Sequence, residues 1–406
     1  MLVLCHAAFS LFITVLLTTC FMPDAFAAPG GIMVGKTMYL SGQGSRTPDG
    51  KLPDTFSEEV RQCLENIRSN LEKAGLDMEN VVKSFVYLDD IGNFGAMNEV
   101  YKQYFKKNPP ARTTVGVKWI PGGSHVETTC IAYSDLSEKK CLGTEKFYGL
   151  PFSPGVIAGK TLYIAGQGDH IDEDASRPPT FEDQVKNCMA KVESVLKMAG
   201  LDWRHVVWSN VYLDYVGYAN LGRFNKAYSE YFEFGDEPAR TTIFADGLPY
   251  MDYNIEITCI ATTDLSNRKV VRPPNMKYGP DGRAITASPG VWAGDTLYLS
   301  TQNGADPETG VVSADLEAQT RQMLQNHLDV LSEAGLKFED IVSGNVNLRD
   351  GDDYRPFNSV YHPHFSKSPG VRTCVRYGPG FERSVGGINS RNVRAETSFI
   401  FARDKK

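Results

Sequence analysis

Pro110-Ala111-Arg112-Thr113-Thr114-Val115 returns as Pro238-Ala239-Arg240-Thr241-Thr242-Ile243 and, altered, as Pro369-Gly370-Val371-Arg372-Thr373-Cys374-Val375. One arginine thus opens an apolar strand three times. Each time an acidic residue follows on a later apolar stretch: Glu127, then Glu256, then Glu396. Other landmarks keep the same order. Gly35-Lys36-Thr37-Met38-Tyr39-Leu40-Ser41-Gly42-Gln43-Gly44 matches the stretch from Gly159 to Gly168 and, more loosely, that from Gly294 to Asn303, and Ala-Gly-Leu follows each at residues 74–76, 199–201 and 334–336. The period is roughly 130 residues, the size of a domain and far above the 20–45 residues of a solenoid unit. The chain is therefore restricted to three linked copies of one small fold.

With 406 residues and 42% hydrophobic content, the chain can bury three ordinary cores. The expected domains are 29–136, 150–265 and 283–404, separated by a charged connector at 136–149 and a Pro/Gly-rich one at 265–283. The net charge is −7 and no dense Lys/Arg run occurs, which argues against a nucleic-acid surface. Residues 1–27 hold an apolar stretch ending in Ala25-Phe26-Ala27, the form of a cleavable secretory leader. Export to the periplasm or outside the cell is the expectation, with no membrane span once the leader is removed. A retained membrane anchor, and lipidation at Cys20, are the competing readings.

Within the first copy, Thr37 to Ser41 reads as a strand, and Phe56 to Lys73 as a helix with Val60, Cys63, Leu64, Ile67 and Leu71 on one face before the Gly75 stop. Val81 to Leu88 is a strand, and Phe94 to Phe105 a helix ended by Pro109-Pro110. Thr113 to Val117 and Val126 to Tyr133 are the last strands. In the second copy the same pattern predicts a helix over Phe181 to Met198, a strand over Val206 to Leu213 and a helix over Tyr218 to Phe232. The fold class is α+β, one sheet and two helices per copy. One sheet face per copy stays uncovered, and three copies can bury all of these by closing around a pseudo-threefold axis, sheets inside and helices outside.

The histidines offer no obvious catalytic set. His362 and His364 flank Pro363 at a helix end, His170 lies in an acidic loop, and His125 shares the face of Glu127 by the period of two.

Taken together and in this order, Tyr-Leu-Ser-Gly-Gln, Ala-Gly-Leu, Val-Tyr-Leu-Asp, Asn-Glu-Val-Tyr, Pro-Ala-Arg-Thr-Thr-Val and Val-Glu-Thr-Thr-Cys-Ile-Ala resemble the Rid or YjgF-like proteins, the reactive-intermediate deaminases. The resemblance runs over nearly everything after residue 28. It implies a chorismate-mutase-like fold, usually a homotrimer with ligand clefts between subunits, so that one chain here replaces a trimer. It also implies hydrolysis of 2-imino or 2-enamino acids to 2-oxo acids and ammonia, without cofactor or metal. Carried over, the substrate carboxylate is held by Arg112, Arg240 and Arg372, and water is handled by Glu127, Glu256 and Glu396, each glutamate taken with the arginine of its own copy. Ser41 and Ser300 match the family's strand-end serine, where the second copy has Ala165, and Asn98, Asn225 and Asn358 match its helix asparagine. The chemistry suits the residues, since a guanidinium grips a carboxylate through two parallel bonds that lysine cannot copy.

The family's Pro-Tyr-Ser segment survives only as Pro151-Phe152-Ser153 and Thr286-Ala287-Ser288. Loss of that tyrosine keeps a second function open, a non-catalytic binder of small carboxylates. The long Gly- and Arg-rich segment of the third copy ranks Arg372 last of the three arginines. Ribonuclease activity, also ascribed to the family, is disfavoured by the acidic balance. Paired presence of Cys63 with Cys130 and of Cys188 with Cys259, where the third copy has Met323 and Phe399, leads to the expectation of two disulfides. A monomer completes the reading.

Overall fold

A computed structural model describes residues 30–144, 151–171, 176–249, 253–276, 286–378 and 393–403. The leader and most of the segment between Gly378 and Arg394 lie outside the described residues.

The first copy forms β1 (Gly31–Val34), β2 (Thr37–Leu40), α1 (Phe56–Lys73), β3 (Val81–Leu88), α2 (Phe94–Tyr104), β4 (Ala111–Gly116) and β5 (Val126–Tyr133). Its sheet has the order β1-β2-β5-β3-β4, with β3 and β4 parallel and the other pairs antiparallel. A short strand β6 (Lys139–Leu142) follows, then β7 (Gly155–Ala158), β8 (Thr161–Ile164), β9 (Gln167–Gly168), α3 (Phe181–Met198), β10 (Val206–Leu213), α4 (Tyr215–Ala219), α5 (Leu221–Ser229), β11 (Ala239–Phe244) and β12 (Ile255–Thr262). The third set is β13 (Arg268–Val271), β14 (Gly290–Ala293), β15 (Thr296–Leu299), β16 (Gln302–Asn303), α6 (Leu316–Ala334), β17 (Ile341–Leu348), α7 (Tyr354–Phe365), β18 (Val371–Arg376) and β19 (Ala395–Ala402).

Local chemistry explains the long helices. Thr55, Thr180 and Asp315 cap α1, α3 and α6 by accepting from the backbone N–H three residues on, at 3.4, 3.2 and 2.7 Å. Each helix ends at the glycine of its Ala-Gly-Leu, with φ of 72°, 73° and 71° at Gly75, Gly200 and Gly335, a conformation only glycine adopts without strain.

The two connectors differ from expectation. Lys139–Leu142 pairs with β7 and Arg268–Val271 with β14, so each supplies an edge strand to the sheet that follows it. The helix expected over Tyr218 to Phe232 starts earlier, because Asp214 accepts from Gly217 N at 2.7 Å, and it is broken at Asn220 into α4 and α5.

Each sheet packs its helices on one face around a separate core: Cys63, Ile67 and Val86 in the first copy, Cys188, Val192 and Val211 in the second, Met323, Leu331 and Val346 in the third. The opposite faces meet in one central core shared by all copies, with Val82, Val207 and Val342 on equivalent strands. Tyr39, Tyr163 and Tyr298, also equivalent, are buried together there, and the hydroxyls of Tyr39 and Tyr298 hydrogen-bond. The ring closes through backbone bonds: Gly166 N to Arg112 O at 2.9 Å, Thr301 N to Arg240 O at 3.1 Å, and Gly42 N to Arg372 O at 3.1 Å. The expected pseudo-trimer, sheets inside and helices outside, is what the chain forms.

Cys63, Cys130, Cys188 and Cys259 sit in the helix-side cores as expected, but all four are free thiols. Cys63 Sγ donates to Gln43 O at 3.1 Å and Cys188 Sγ approaches Ile255 O at 3.8 Å. Burial pushes the Cys63 and Cys259 thiols up to about 12, which suppresses the thiolate through which a bridge would form. They pack as small apolar groups.

Candidate functional site

Arginine and glutamate of one copy do not meet, and strand parity gives the reason. On β3, Ser84 is the register partner of Arg112 and Tyr87 that of Glu127. Those partners are an odd number of positions apart, so the two side chains leave opposite faces of the sheet. Arg112 turns to the helix side and Glu127 to the inner side. The within-copy pairing expected from sequence is therefore corrected: two of the arginines, Arg112 and Arg372, act on the glutamate of another copy, while Glu396 shows no such coupling to Arg240. Arg112 and Glu256 are near enough that the guanidinium favours the carboxylate, and Arg372 acts likewise on Glu127.

Every guanidinium lies over aromatic rings. Arg112 Cζ is 4.7 Å from the Tyr101 ring centre, 5.6 Å from that of Phe94 and 5.1 Å from that of Phe152, which the second copy contributes. Arg240 lies 5.0 Å from Tyr228 and Arg372 5.3 Å from Tyr361. The helix asparagines follow two patterns. Asn225 Oδ1 accepts from Arg240 Nη2 at 2.9 Å and Asn358 Oδ1 from Arg372 Nη1 at 2.7 Å. Arg112 has Met97 Sδ at 3.9 Å instead, and Asn98 Oδ1 is buried without a partner. Ser300 Oγ accepts from Arg240 N at 2.8 Å and donates to Ser288 O at 2.6 Å, while Ser41 Oγ accepts from Gln43 Nε2 at 2.8 Å.

Burial pushes Glu127 and Glu256 up to about 8, against the pull of Arg372 on the first and of Lys83 and Arg112 on the second. Glu396 keeps some exposure and rises to about 7 by burial, opposed by a hydrogen bond from Asn303. Carboxyls in this range exchange a proton near neutral pH.

Two features were missed from sequence. A Cβ on Gly42 would fall 2.2 Å from Glu127 Oε1, and one on Gly166 would fall 1.7 Å from Glu256 Oε1, so each carboxylate occupies the space a side chain would fill. The repeated glycine was visible, its reason was not. The other is Lys83, fully buried between the first two copies. Its Nζ donates to Thr113 Oγ1 at 2.8 Å, Ile164 O at 2.8 Å and Thr258 Oγ1 at 2.7 Å. Burial brings it down to about 7, against the charge of Glu256. The signal was a lysine inside an apolar strand where the other copies have Trp208 and Ser343.

A family model described as Endoribonuclease L-PSP matches residues 25–134, 149–263 and 284–378. The chain belongs to this family. Among curated relatives of the L-PSP chain, the 2-iminobutanoate/2-iminopropanoate deaminase of Rattus norvegicus is 45% identical over 103 residues, 25% of this chain and 75% of the relative. The human protein of the same name is 43% identical over 114 residues, 26% of this chain and 83% of its own. Among solved structures, a putative endoribonuclease of Thermotoga maritima has 32% identity and a TM-score of 0.27 over 28% of this chain and 90% of its own. A chorismatase has 12% identity and a TM-score of 0.54 over 80% of this chain and 93% of its own, a likeness of fold. The Rid/YjgF resemblance is thereby borne out.

Elsewhere in the L-PSP chain, His125 does not join Glu127. Its Nδ1 lies 2.6 Å from Glu59 Oε1 and its Nε2 3.9 Å from Asp89 Oδ2, which ties the start of β5 to α1. His362 Nε2 lies 3.4 Å from Arg372 Nη1, and His170 lies beside Asp169. Among the described residues no group of three His, Cys, Asp or Glu could hold a metal, and no helix is long and apolar enough to cross a membrane.

Proposed function

We propose that this chain hydrolyses 2-imino and 2-enamino acids to 2-oxo acids and ammonia at clefts between its copies. The observation that supports it most is the pairing, across a copy boundary, of an arginine stacked on aromatic rings with a buried glutamate raised to about 8. In this reading the guanidinium holds the substrate carboxylate through two charge-assisted bonds. The ionised glutamate takes a proton from water as the oxygen adds to the imine carbon. That proton passes to nitrogen to give the carbinolamine; the glutamate then takes the carbinolamine hydroxyl proton and delivers it to the amine as the carbon–nitrogen bond breaks, so that ammonia leaves behind a carbonyl and the carboxylate is restored. Such proton handling contributes about 10² to 10⁴-fold. Asn225 and Asn358 hold the guanidiniums of Arg240 and Arg372 in place.

The junctions are ranked by electrostatics. Arg112 with Glu256 and Arg372 with Glu127 are coupled, whereas Glu396 answers to burial and Asn303 alone, so Arg240 is placed last. The sequence places Arg372 last instead, on the long Gly- and Arg-rich segment of its copy. Incubation with freshly generated 2-iminopropanoate, following ammonia release, tests the reading. Acceleration over buffer that falls in Arg112→Ala/Arg372→Ala is expected.

The competing function, a carboxylate binder without turnover, draws on Thr301, which stands where the other copies have glycine beside the glutamate. Tight 2-oxo acid binding with no ammonia release would establish it. Export belongs to the same proposal, and N-terminal sequencing of the mature chain should begin near Ala28.

A further inference from the structure

The surroundings of Glu396 differ from those of the other two glutamates at three positions at once. Glu127 has Gly42 before its facing strand end and Tyr87 as its register partner, and Glu256 has Gly166 and Tyr212 in the same places. Opposite Glu256 stands Gly168, and the bridge between Gln43 and Thr128 sets Gly44 opposite Glu127. Around Glu396 these places hold Thr301, Asn303 and Asn347, with Asn303 and Asn347 both in register with the glutamate. Two glycines and a tyrosine have become three hydrogen-bonding side chains. Register partners project from the same sheet face, so Asn347 and Glu396 stand side by side.

Asn303 is spent on Glu396 and on Ala305 N, whose N–H its Oδ1 accepts at 2.9 Å, but the other two groups are not. Asn347 is 4% exposed, yet neither its Nδ2 nor its Oδ1 has a partner. Thr301 Oγ1, Thr242 Oγ1 and Arg240 Nη1 at the same junction are also buried without partners. Orphaned buried polar atoms are costly and persist where something else satisfies them. Packing at the axis does not require Asn347 either. The hydroxyls of Tyr87 and Tyr212 hydrogen-bond, and Tyr377 from the end of β18 supplies the third hydroxyl that the third copy otherwise lacks.

We propose that the junction of Arg240 and Glu396 takes a carboxylate ligand with a second hydrogen-bonding group, a hydroxyl or carboxamide on its side chain, which the other two junctions, with glycine, glycine and tyrosine at these places, do not select. This rests on the carboxylate-binding reading above and names the ligand class of one site within it. Asn347 and Thr301 are the residues that set the preference, and Arg240 supplies the carboxylate grip.

The near-isosteric pair 2-oxobutanoate and hydroxypyruvate tests it by calorimetric titration of the full chain. In Arg112→Ala/Arg372→Ala, which leaves Arg240, hydroxypyruvate should bind about tenfold more tightly, the effect of one or two buried hydrogen bonds. Adding Asn347→Leu should bring the two ligands within about twofold. If that variant does not fold, Asn347→Tyr, which restores the residue of the other copies, is read the same way. The chain with Arg240→Ala alone should show no preference for hydroxypyruvate. Equal affinity in the first chain, or a preference that survives removal of Asn347, overturns the inference and leaves water alone on these atoms. Binding in the Arg240→Ala chain but not in the double variant overturns only this inference. Failure of both ligands to bind either chain sinks the carboxylate reading and this inference with it.

Discussion

Lys83 holds an ammonium against three neutral oxygens with no exposed surface, and beside Glu256 its charge favours the carboxylate. In a chain carrying Arg240→Ala and Arg372→Ala, which isolates the junction of Arg112, Lys83→Met should move the rise of 2-imino acid turnover to higher pH. An unchanged profile would show that Lys83 acts on packing alone. Glu127 gives a stability test. Its folded value of about 8 exceeds the ordinary 4.5, so its contribution is fully present below 4.5 and is lost as pH rises through 8. Glu127→Gln should match wild type near pH 4.5 and exceed it at pH 8 by on the order of 4 kcal/mol in urea unfolding. A difference independent of pH would contradict the buried-carboxyl account. The residue types of this site were legible because Arg112, Arg240 and Arg372 recur in one context. The trans pairing was not, since it follows from which positions on β3 face Arg112 and Glu127, and register is set by tertiary contact.

At the scale of elements, α1, β3, β5, α3 and β10 lie where hydrophobic spacing and glycine stops put them. What escaped were β6 and β13. Lys139-Lys140-Cys141-Leu142 reads as a charged connector, and it becomes a strand only because β7 offers an open edge. These strands also bind backward. Lys139 Nζ donates to Glu79 O, Val81 O and Asn108 O at 2.6, 3.0 and 2.9 Å, while β6 itself pairs into the second sheet. Arg268 repeats the device, donating to Val206 O at 3.2 Å and Asp236 O at 2.8 Å and pairing with the Asp236 carboxylate. Its side chain is 5% exposed. Arg268→Ala leaves two carbonyls at a copy boundary without this donor, while the exposed Asp236 carboxylate turns to water, so a loss of about 1–3 kcal/mol is expected in chemical denaturation. A loss under about 0.5 kcal/mol, the level of an ordinary surface substitution, would mean that β13 pairing alone holds the boundary.

The whole molecule closes on itself. Each inner sheet face is covered by the other two copies, and the third returns to the first through Gly42 N on Arg372 O and through Trp119 pairing with Arg376. A symmetric homotrimer would need three identical boundaries, whereas here they differ. Gly378 N meets Phe244 O at one boundary, Gly116 N meets Gly247 O at another, and Lys118 N meets Arg376 O at the last, at 3.0, 2.9 and 2.7 Å. A second chain could not supply these contacts without opening the first, and the connectors hold neighbouring copies at effective concentrations on the order of millimolar. The chain should therefore be monomeric, with a light-scattering mass near 44.9 kDa, or that less the leader if it is cleaved. Its unfolding temperature should not change with protein concentration, because no association step accompanies folding. A stable species of three times that mass, or a melting temperature that climbs with concentration over a hundredfold range, would show that the boundaries are completed between chains, and would move every arginine–glutamate pair described above from one molecule to two.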